Sequence, residues 1–396
     1  MISPEEKQAI REKYNYRPFK EAPPSKAEVE LLPLETIDLS KYDEGPEARK
    51  QLAQRLEKAL TEYGFFRLVN HGFSPEFLET MKSISQSTFE TSEEVKAKFL
   101  AGKNNIELDD GLELGVIRGT GYKPRGYWTY TNETKDNVEF FNVRHFNFHE
   151  VFNSIEHPEF VKANLDDIEF YFTYLHQQIQ RKVLNLIDII LGLPEGEMYT
   201  KYFRVEDNDP NDSGTGFGRF LLYHPVDEDY NRKTTSTWMR GHTDAGAFTY
   251  ILSQPILSLQ VRTYDDYQWK YVGHVPNSII VNAGDTIKFL TAGYFKSAVH
   301  RVHTAPQDQK DCHRNTIIYF ASPKLDIYMD PETLNSPKLT EKGYTRDKSI
   351  PKVTIREWDE AKGKFFNKKS ANWVTNIVIL GRECVGSLIG EKAIKT

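Results

Sequence analysis

The chain has 396 residues, 39% of them hydrophobic and 13% aromatic, enough apolar surface for a sizeable core in one large β domain with helical additions or in two domains. Its net charge of −6 argues against nucleic acid or an anionic membrane surface as partner. No apolar run reaches the length of a membrane span, and two cysteines, Cys312 and Cys384, do not make a disulfide framework, so a reducing, cytoplasmic setting is expected.

Residues 1–32 are charged and contain Pro23-Pro24. They read as an arm or cover, and Met1 to Gln8 lacks the apolar stretch of a signal peptide. An N-terminal α/β region is expected over 33–207. Within it Leu52, Leu56, Leu60 and Tyr63 recur at helical spacing. Gly64 stops that helix and Phe65 to Val69 follows as a strand. Pro75 opens a second helix through Phe89. Gly111 to Gly121 is a glycine-rich loop without a phosphate-binding pattern. Pro158 to Leu193 is one long helical pattern with a break expected near Asp166. Its most apolar part, Val183 to Leu191, is interrupted by Asn185 and Asp188.

From 208 to 325 the period changes to that of strands. Eight short runs are expected: Arg219–His224, Thr249–Leu252, Leu257–Thr263, Trp269–Val272, Ser278–Asn282, Thr286–Leu290, Ala298–Thr304 and Thr316–Ala321. Gly, Pro and Asp separate them, and Gly284-Asp285 is the clearest tight turn. Eight strands with no long helices between them predict an antiparallel jelly roll, a double-stranded β-helix core flanked by N-terminal helices, the long central helix and a C-terminal helix. The last segment, 326–396, is expected to be a helical extension or lid, with Thr354 to Lys369 helical.

Chemistry is concentrated in Arg240-Gly241-His242-Thr243-Asp244 and in Ala298-Val299-His300-Arg301-Val302. Residues i and i+2 of a strand point the same way, so His242 and Asp244 reach a common point. His300, from a later strand, completes two imidazoles and a carboxylate, the facial triad that suits non-haem Fe(II) and leaves coordination positions open. His303 is a rival for the third ligand. Taken alone, an HxD tripeptide is a weak signal and reads equally as a hydrogen-bonded histidine at a strand end. Arg314 and Thr316 share a strand face in the next run. A guanidinium with a hydroxyl beside it suits the distal carboxylate of a small diacid whose other end chelates the iron. The competing reading of Arg314 is a solvent-facing edge residue.

In these motifs the chain resembles the isopenicillin N synthase-like superfamily of 2-oxoglutarate- and Fe(II)-dependent dioxygenases. His242, Asp244, His300 and Arg314-x-Thr316 follow the superfamily's order, with Thr316 where Ser is usual. Glu62 to Gly72 resembles its GFF…NHG segment, and Asp136 to Phe141 loosely resembles its DW-x-E-x-F stretch. The resemblance implies Fe(II) as metal, 2-oxoglutarate as co-substrate on Arg314 and Thr316, and O₂ as oxidant. The superfamily's co-substrate Tyr corresponds to His224 here, with Tyr223 one residue early, so either Tyr223 or His224 fills that role. Phe320 matches a position on the superfamily's substrate wall. Tyr127, Trp128, Tyr130 and Phe141 are candidates for the opposite wall, although rings of this kind are most often simple core. Lys123 and Arg125 are candidates for an acidic substrate group.

The implied function is oxidation of a C–H bond of a small, secondary-metabolite-like substrate, with release of succinate and CO₂. An oxidase of the same fold that cyclises its substrate without 2-oxoglutarate is the nearer alternative. A ligand-binding jelly roll without turnover is the remote one. Small molecules are the expected partners, with neither nucleic acid nor membrane.

Overall fold

In a computed structural model, residues 2–101, 119–128, 133–205, 209–210, 212–366 and 376–385 are described. Strands follow the chain as β1 (Thr36–Asp38), β2 (Phe65–Val69), β3 (Gly121–Lys123), β4 (Val138–Arg144), β5 (Thr215–Tyr223), β6 (Thr237–His242), β7 (Phe248–Leu252), β8 (Leu259–Arg262), β9 (Trp269–Tyr271), β10 (Ile279–Ala283), β11 (His300–His303), β12 (Arg314–Ser322), β13 (Asn376–Ile379) and β14 (Arg382–Val385). The larger sheet runs β1-β2-β10-β7-β12-β5-β4-β3, and β6-β11-β8-β9 forms a second. Among these strands only β1 and β2 pair in parallel; the other pairs are antiparallel.

Register decides which side chains face the second sheet, because paired residues point to one side. Tyr223 pairs with Arg314 and Val138, Leu221 with Thr316 and Phe140, Arg219 with Ile318 and Asn142, and Phe217 with Phe320 and Arg144. Phe320 pairs in turn with Thr249, Thr249 with Asn282, and Asn282 with Phe65. These residues line the inner face of the sandwich, where Tyr223 stacks on Trp238 at 5.9 Å and Phe65 meets the ring of His300 at 5.6 Å. The opposite parity (Phe66, Phe141, Phe220, Tyr250, Ile317, Tyr319) packs with the helices in one large core.

The helices form where the sequence permits. Pro75–Phe89 starts with Ser74 accepting from the Phe77 amide at 3.1 Å and Pro75 at its head. Pro46–Glu62 ends before Gly64, whose φ of +69° and approach to Lys296 O exclude a side chain. The long pattern is Glu159–Ala163, then Leu165–Tyr174, a π-turn at Leu175–Gln180 and Arg181–Leu191. Its break falls at Asn164, two residues before Asp166, where the Asn164 side-chain amide turns back to donate to Phe160 O at 2.7 Å. A larger correction concerns Thr286–Leu290, expected as a strand. Asp285–Leu290 is a helix, with Thr286, Ile287 and Leu290 buried; a short apolar run does not separate the two periods. The tail helix is Ile355–Phe366. Residues 111–118 of the glycine-rich stretch lie outside the described residues. No helix among the described residues is long and apolar enough to cross a membrane.

Burial under these helices gives a pH dependence. His176, between Tyr319 Oη (2.5 Å) and Phe203 O (2.8 Å), and His157 are each pushed down to about 4 by burial. Between about pH 6.5 and 4 the unfolded chain takes up protons that these histidines refuse, so stability falls with acid across that window and levels below it. His176→Gln is expected to flatten the fall in thermal midpoint over that range, and an unchanged slope would assign it to other groups.

Candidate metal centre

β11 runs antiparallel to β6 and sets His300 directly opposite His242. Asp244 follows β6 in the turn leading to β7. One ligand atom from each of the three residues lies within 4.8 Å of the others. His242 Nε2 is 3.5 Å and His300 Nε2 3.8 Å from Asp244 Oδ1. Donors bound to one ion at about 2.1 Å and at right angles sit about 3 Å apart, so small side-chain shifts would close the group on a metal.

The surroundings orient each donor. Nδ1 of His242 lies 2.7 Å from Arg240 O and Nδ1 of His300 lies 3.2 Å from Ala298 O. Each Nδ1–H donates to a carbonyl, which leaves the Nε2 lone pair for the centre. Burial pushes His300 down to about 4, so it is neutral near pH 7. Asp244 Oδ2 accepts from Thr249 Oγ1 (2.6 Å) and Asn282 Nδ2 (2.8 Å), turning Oδ1 toward the imidazoles. Burial disfavours the Asp244 carboxylate, but His300, His242 and Thr249 together hold its pKa well below the ordinary range. Two neutral nitrogens and one carboxylate oxygen are the donor set that suits Fe(II).

Behind this turn lies a second layer that the sequence reading missed. Gly284 approaches Gly246 O so closely that a Cβ would sit 2.2 Å from it, and the Asp285 amide donates to Asp244 O at 2.8 Å. Asp285 is buried with Lys362 of the tail helix in an ion pair. Lys362 Nζ also donates to Thr243 O at 2.8 Å, Thr243 Oγ1 to Asp285 Oδ2 at 3.0 Å, the Thr243 amide to Val385 O at 3.1 Å and Trp358 Nε1 to Ala245 O at 3.2 Å. Helix Ile355–Phe366 and β14 thus grip the loop that carries Asp244. Lys362→Met, which strands the Asp285 carboxylate, is expected to destabilise the fold by about 3–5 kcal/mol. It should also weaken iron binding by about 10- to 100-fold. Denaturant titration and metal titration of the variant measure the two effects separately.

Arg314 and Thr316 lie on the inner face of β12, 3% and 2% exposed. Arg314 Nε and Thr316 Oγ1 are buried without a hydrogen-bond partner. Tyr223 stands beside them, its ring 5.2 Å from the Arg314 guanidinium carbon. His224 does not join them. Its Nε2 is 2.8 Å from Glu139 Oε1 and its ring packs on His313, because successive residues leave a strand on opposite faces. His303 likewise turns away from the triad, toward Thr304 O and Tyr271.

Phe320 is on the inner face and stacks on Phe217 at 4.7 Å. Phe141 is not. It packs on Tyr122 in the helix-side core, and its neighbour Phe140 faces inward in its place. Both are apolar, so hydrophobic alternation is silent in a strand buried on both faces. Trp128 lies 5.8 Å from Phe140, and Tyr127 beside it is half-buried. Tyr130 lies outside the described residues. Lys123 is fully buried and paired with Asp136, while Arg125 is exposed. The signals available for the missed residues were Asn282, a lone amide in the apolar run Ser278 to Ala283, and Arg219, a lone cation in the run Phe217 to Tyr223.

Residues 34–164 match the family described as non-haem dioxygenase in morphine synthesis N-terminal, and residues 217–323 match the 2OG-Fe(II) oxygenase superfamily. The chain is similar to 1-aminocyclopropane-1-carboxylate oxidase 5 of Arabidopsis thaliana, 27% identical over 321 residues that cover 80% of this chain and 91% of that one. It is also similar to leucoanthocyanidin dioxygenase of Petunia hybrida, 28% identical over 300 residues, 75% of this chain and 62% of that one. In fold it resembles a Neurospora crassa protein solved in complex with alpha-KG and thymine, with a TM-score of 0.65, 20% identity, and coverage of 85% of this chain and 97% of that one.

Proposed function

The chain belongs to the 2OG-Fe(II) oxygenase superfamily, and from that premise we propose that it oxidises a C–H bond of a small-molecule substrate. It is a 2-oxoglutarate-dependent dioxygenase with Fe(II) as its metal. His242, Asp244 and His300 would hold the iron. Arg314, Thr316 and Tyr223 would hold the distal carboxylate of 2-oxoglutarate. When bound, iron with 2-oxoglutarate and O₂ supplies the oxidising power, and succinate and CO₂ leave.

One observation carries the assignment of Arg314. Two buried polar atoms, Arg314 Nε and Thr316 Oγ1, have no partner, and both residues lie on the β12 face whose Phe320 pairs with Thr249, the residue that donates to Asp244. A buried donor left unmade costs about 1–3 kcal/mol, more when charged, and a carboxylate on this pair offsets that cost with a charge-assisted contact. Phe65 against His300 and Trp238 against Tyr223 place apolar surface beside these polar groups, which strengthens the charge contacts made there. Thr249 and Asn282 keep Asp244 from rotating, so the donor geometry is set before the metal arrives.

Turnover with Fe(II), 2-oxoglutarate and a metabolite panel, read by mass, tests the proposal. Succinate should appear in step with an oxidised small molecule, and only with iron present. The similarity to a protein named an oxidase favours one second reading, oxidation of the substrate without 2-oxoglutarate. Product formed at full rate without 2-oxoglutarate and without succinate would establish that reading instead.

A further inference from the structure

We propose that Arg219 anchors the prime substrate and that this substrate carries a carboxylate next to a flat apolar body. The inference rests on the oxygenase reading and extends it to substrate class. Arg219 shares the inner face of β5 with Leu221 and Tyr223, one pleat beyond the residues opposite Thr316 and Arg314. It is 9% exposed. Its Nε donates to Asn142 Oδ1 at 2.7 Å, but Nη2 is buried without a partner; among the described residues no carboxylate forms an ion pair with it, and the nearby anionic charge it feels is that of Asp244, whose oxygens face the histidines, Thr249 and Asn282.

The buried lysines of this chain have their anions: Lys123 has Asp136, Lys362 has Asp285 and Lys96 has Glu139. Arg219 and Arg314 differ from them in that each keeps a buried guanidinium nitrogen without a hydrogen-bond partner. A desolvated guanidinium without an ion pair is unfavourable, and two of them lie on the same inner face of paired strands. The distal carboxylate of 2-oxoglutarate satisfies one. The second is then satisfied by an anion that arrives separately, on the substrate.

The surroundings of Arg219 define the rest of that molecule. Its guanidinium carbon lies 3.9 Å from the ring centre of Phe140, 5.1 Å from Phe217 and 5.2 Å from Phe320. These rings hold the guanidinium by its π-system and leave Nη2 as its unsatisfied hydrogen-bonding atom. A carboxylate seated there lays the attached carbon skeleton along Phe217 and Phe320, which stack at 25°. A monoanion balances the one guanidinium. A phosphate dianion would leave excess negative charge near Asp244. The acidic-substrate role expected of Lys123 and Arg125 thus moves to Arg219, since Lys123 is already paired with Asp136.

Calorimetry on the anaerobic enzyme loaded with Fe(II) and saturating 2-oxoglutarate tests this. Benzoate, phenylacetate and 3-phenylpropionate are each compared with the corresponding primary amide, and phenyl phosphate serves as the dianion. At least one carboxylate should bind on the order of tenfold or more tightly than its amide and than phenyl phosphate. Arg219→Met should erase that preference, Arg219→Lys should keep part of it, and neither should shift 2-oxoglutarate affinity by more than about threefold, since the lost contact is a buried charge pair with the substrate alone. Carboxylates bound no better than amides by the wild-type enzyme would overturn the proposal without recourse to any variant. So would a preference that survives in Arg219→Lys and Arg219→Met alike at full strength, or a loss of 2-oxoglutarate affinity in Arg219→Met, which would make Arg219 a co-substrate residue. Failure of the oxygenase reading shows separately, as absence of 2-oxoglutarate binding before any probe is added.

Discussion

Asp244→Ala and His300→Ala are each expected to abolish turnover, with activity lost by more than about a hundredfold, beyond the range reached when only a ligand's hydrogen-bond partner is changed. Each removes one of three donors from a site that offers no replacement among the described residues, since His303 faces Thr304 and Tyr271 instead. The two variants should differ in fold stability. Asp244→Ala strands Thr249 Oγ1 and Asn282 Nδ2, which now donate to its carboxylate, and about 1–3 kcal/mol of stability should go with each buried donor left unmade. His300→Ala removes a ring packed edge-on against Phe65 and one longer hydrogen bond to Ala298 O at 3.2 Å, and leaves a cavity. Fe(II) titration followed by thermal unfolding of the metal-free proteins separates these effects. Retained iron stoichiometry in either variant would remove that residue from the ligand set.

Arg314→Met is expected to act on the co-substrate and to leave iron binding unchanged. The guanidinium is buried over the ring of Tyr223 and its Nε has no protein partner, so its contribution appears only when a carboxylate is bound. Loss of a buried charge contact of this kind is worth on the order of 2–5 kcal/mol, which at about 1.4 kcal/mol per decade raises the 2-oxoglutarate needed for half-maximal succinate production by about 30-fold or more. Met fills the space of the Arg stem, so the hydrophobic contacts on β12 persist. Thr316→Val should move the same quantity in the same direction by less, because it removes one neutral donor. An unchanged 2-oxoglutarate requirement in Arg314→Met would assign the arginine to another ligand.

Features that depend on strand alternation were legible in the sequence. Arg314 and Thr316 are i and i+2 on β12 and share its inner face as that spacing demands; His242 and Asp244 are also i and i+2 and meet, although Asp244 lies past the end of β6 in the following turn. The helices Pro46–Glu62 and Pro75–Phe89 and most strands of the second half were legible for the same reason, a clear period with Gly or Pro at its ends. What alternation leaves open is which parity faces inward when both faces are buried. Phe140 against Phe141 and Tyr223 against His224 are that one ambiguity met twice, on strands that pair with each other, and register resolves both together. The grip of Lys362 and Asp285 on the Asp244 turn joins segments 77 residues apart, and nothing local marks it beyond a lysine on the apolar side of a tail helix. Asp285–Leu290 failed for a different reason: six residues are too few for either period to declare itself.

The most direct measurement is anomalous diffraction at the iron edge from crystals grown anaerobically with Fe(II). One peak per chain is expected, bonded to Nε2 of His242, Oδ1 of Asp244 and Nε2 of His300, with Oδ2 of Asp244 still held by Thr249 and Asn282. Iron bound at other residues, or a triad that stays empty in protein shown to carry one iron per chain, would contradict the account.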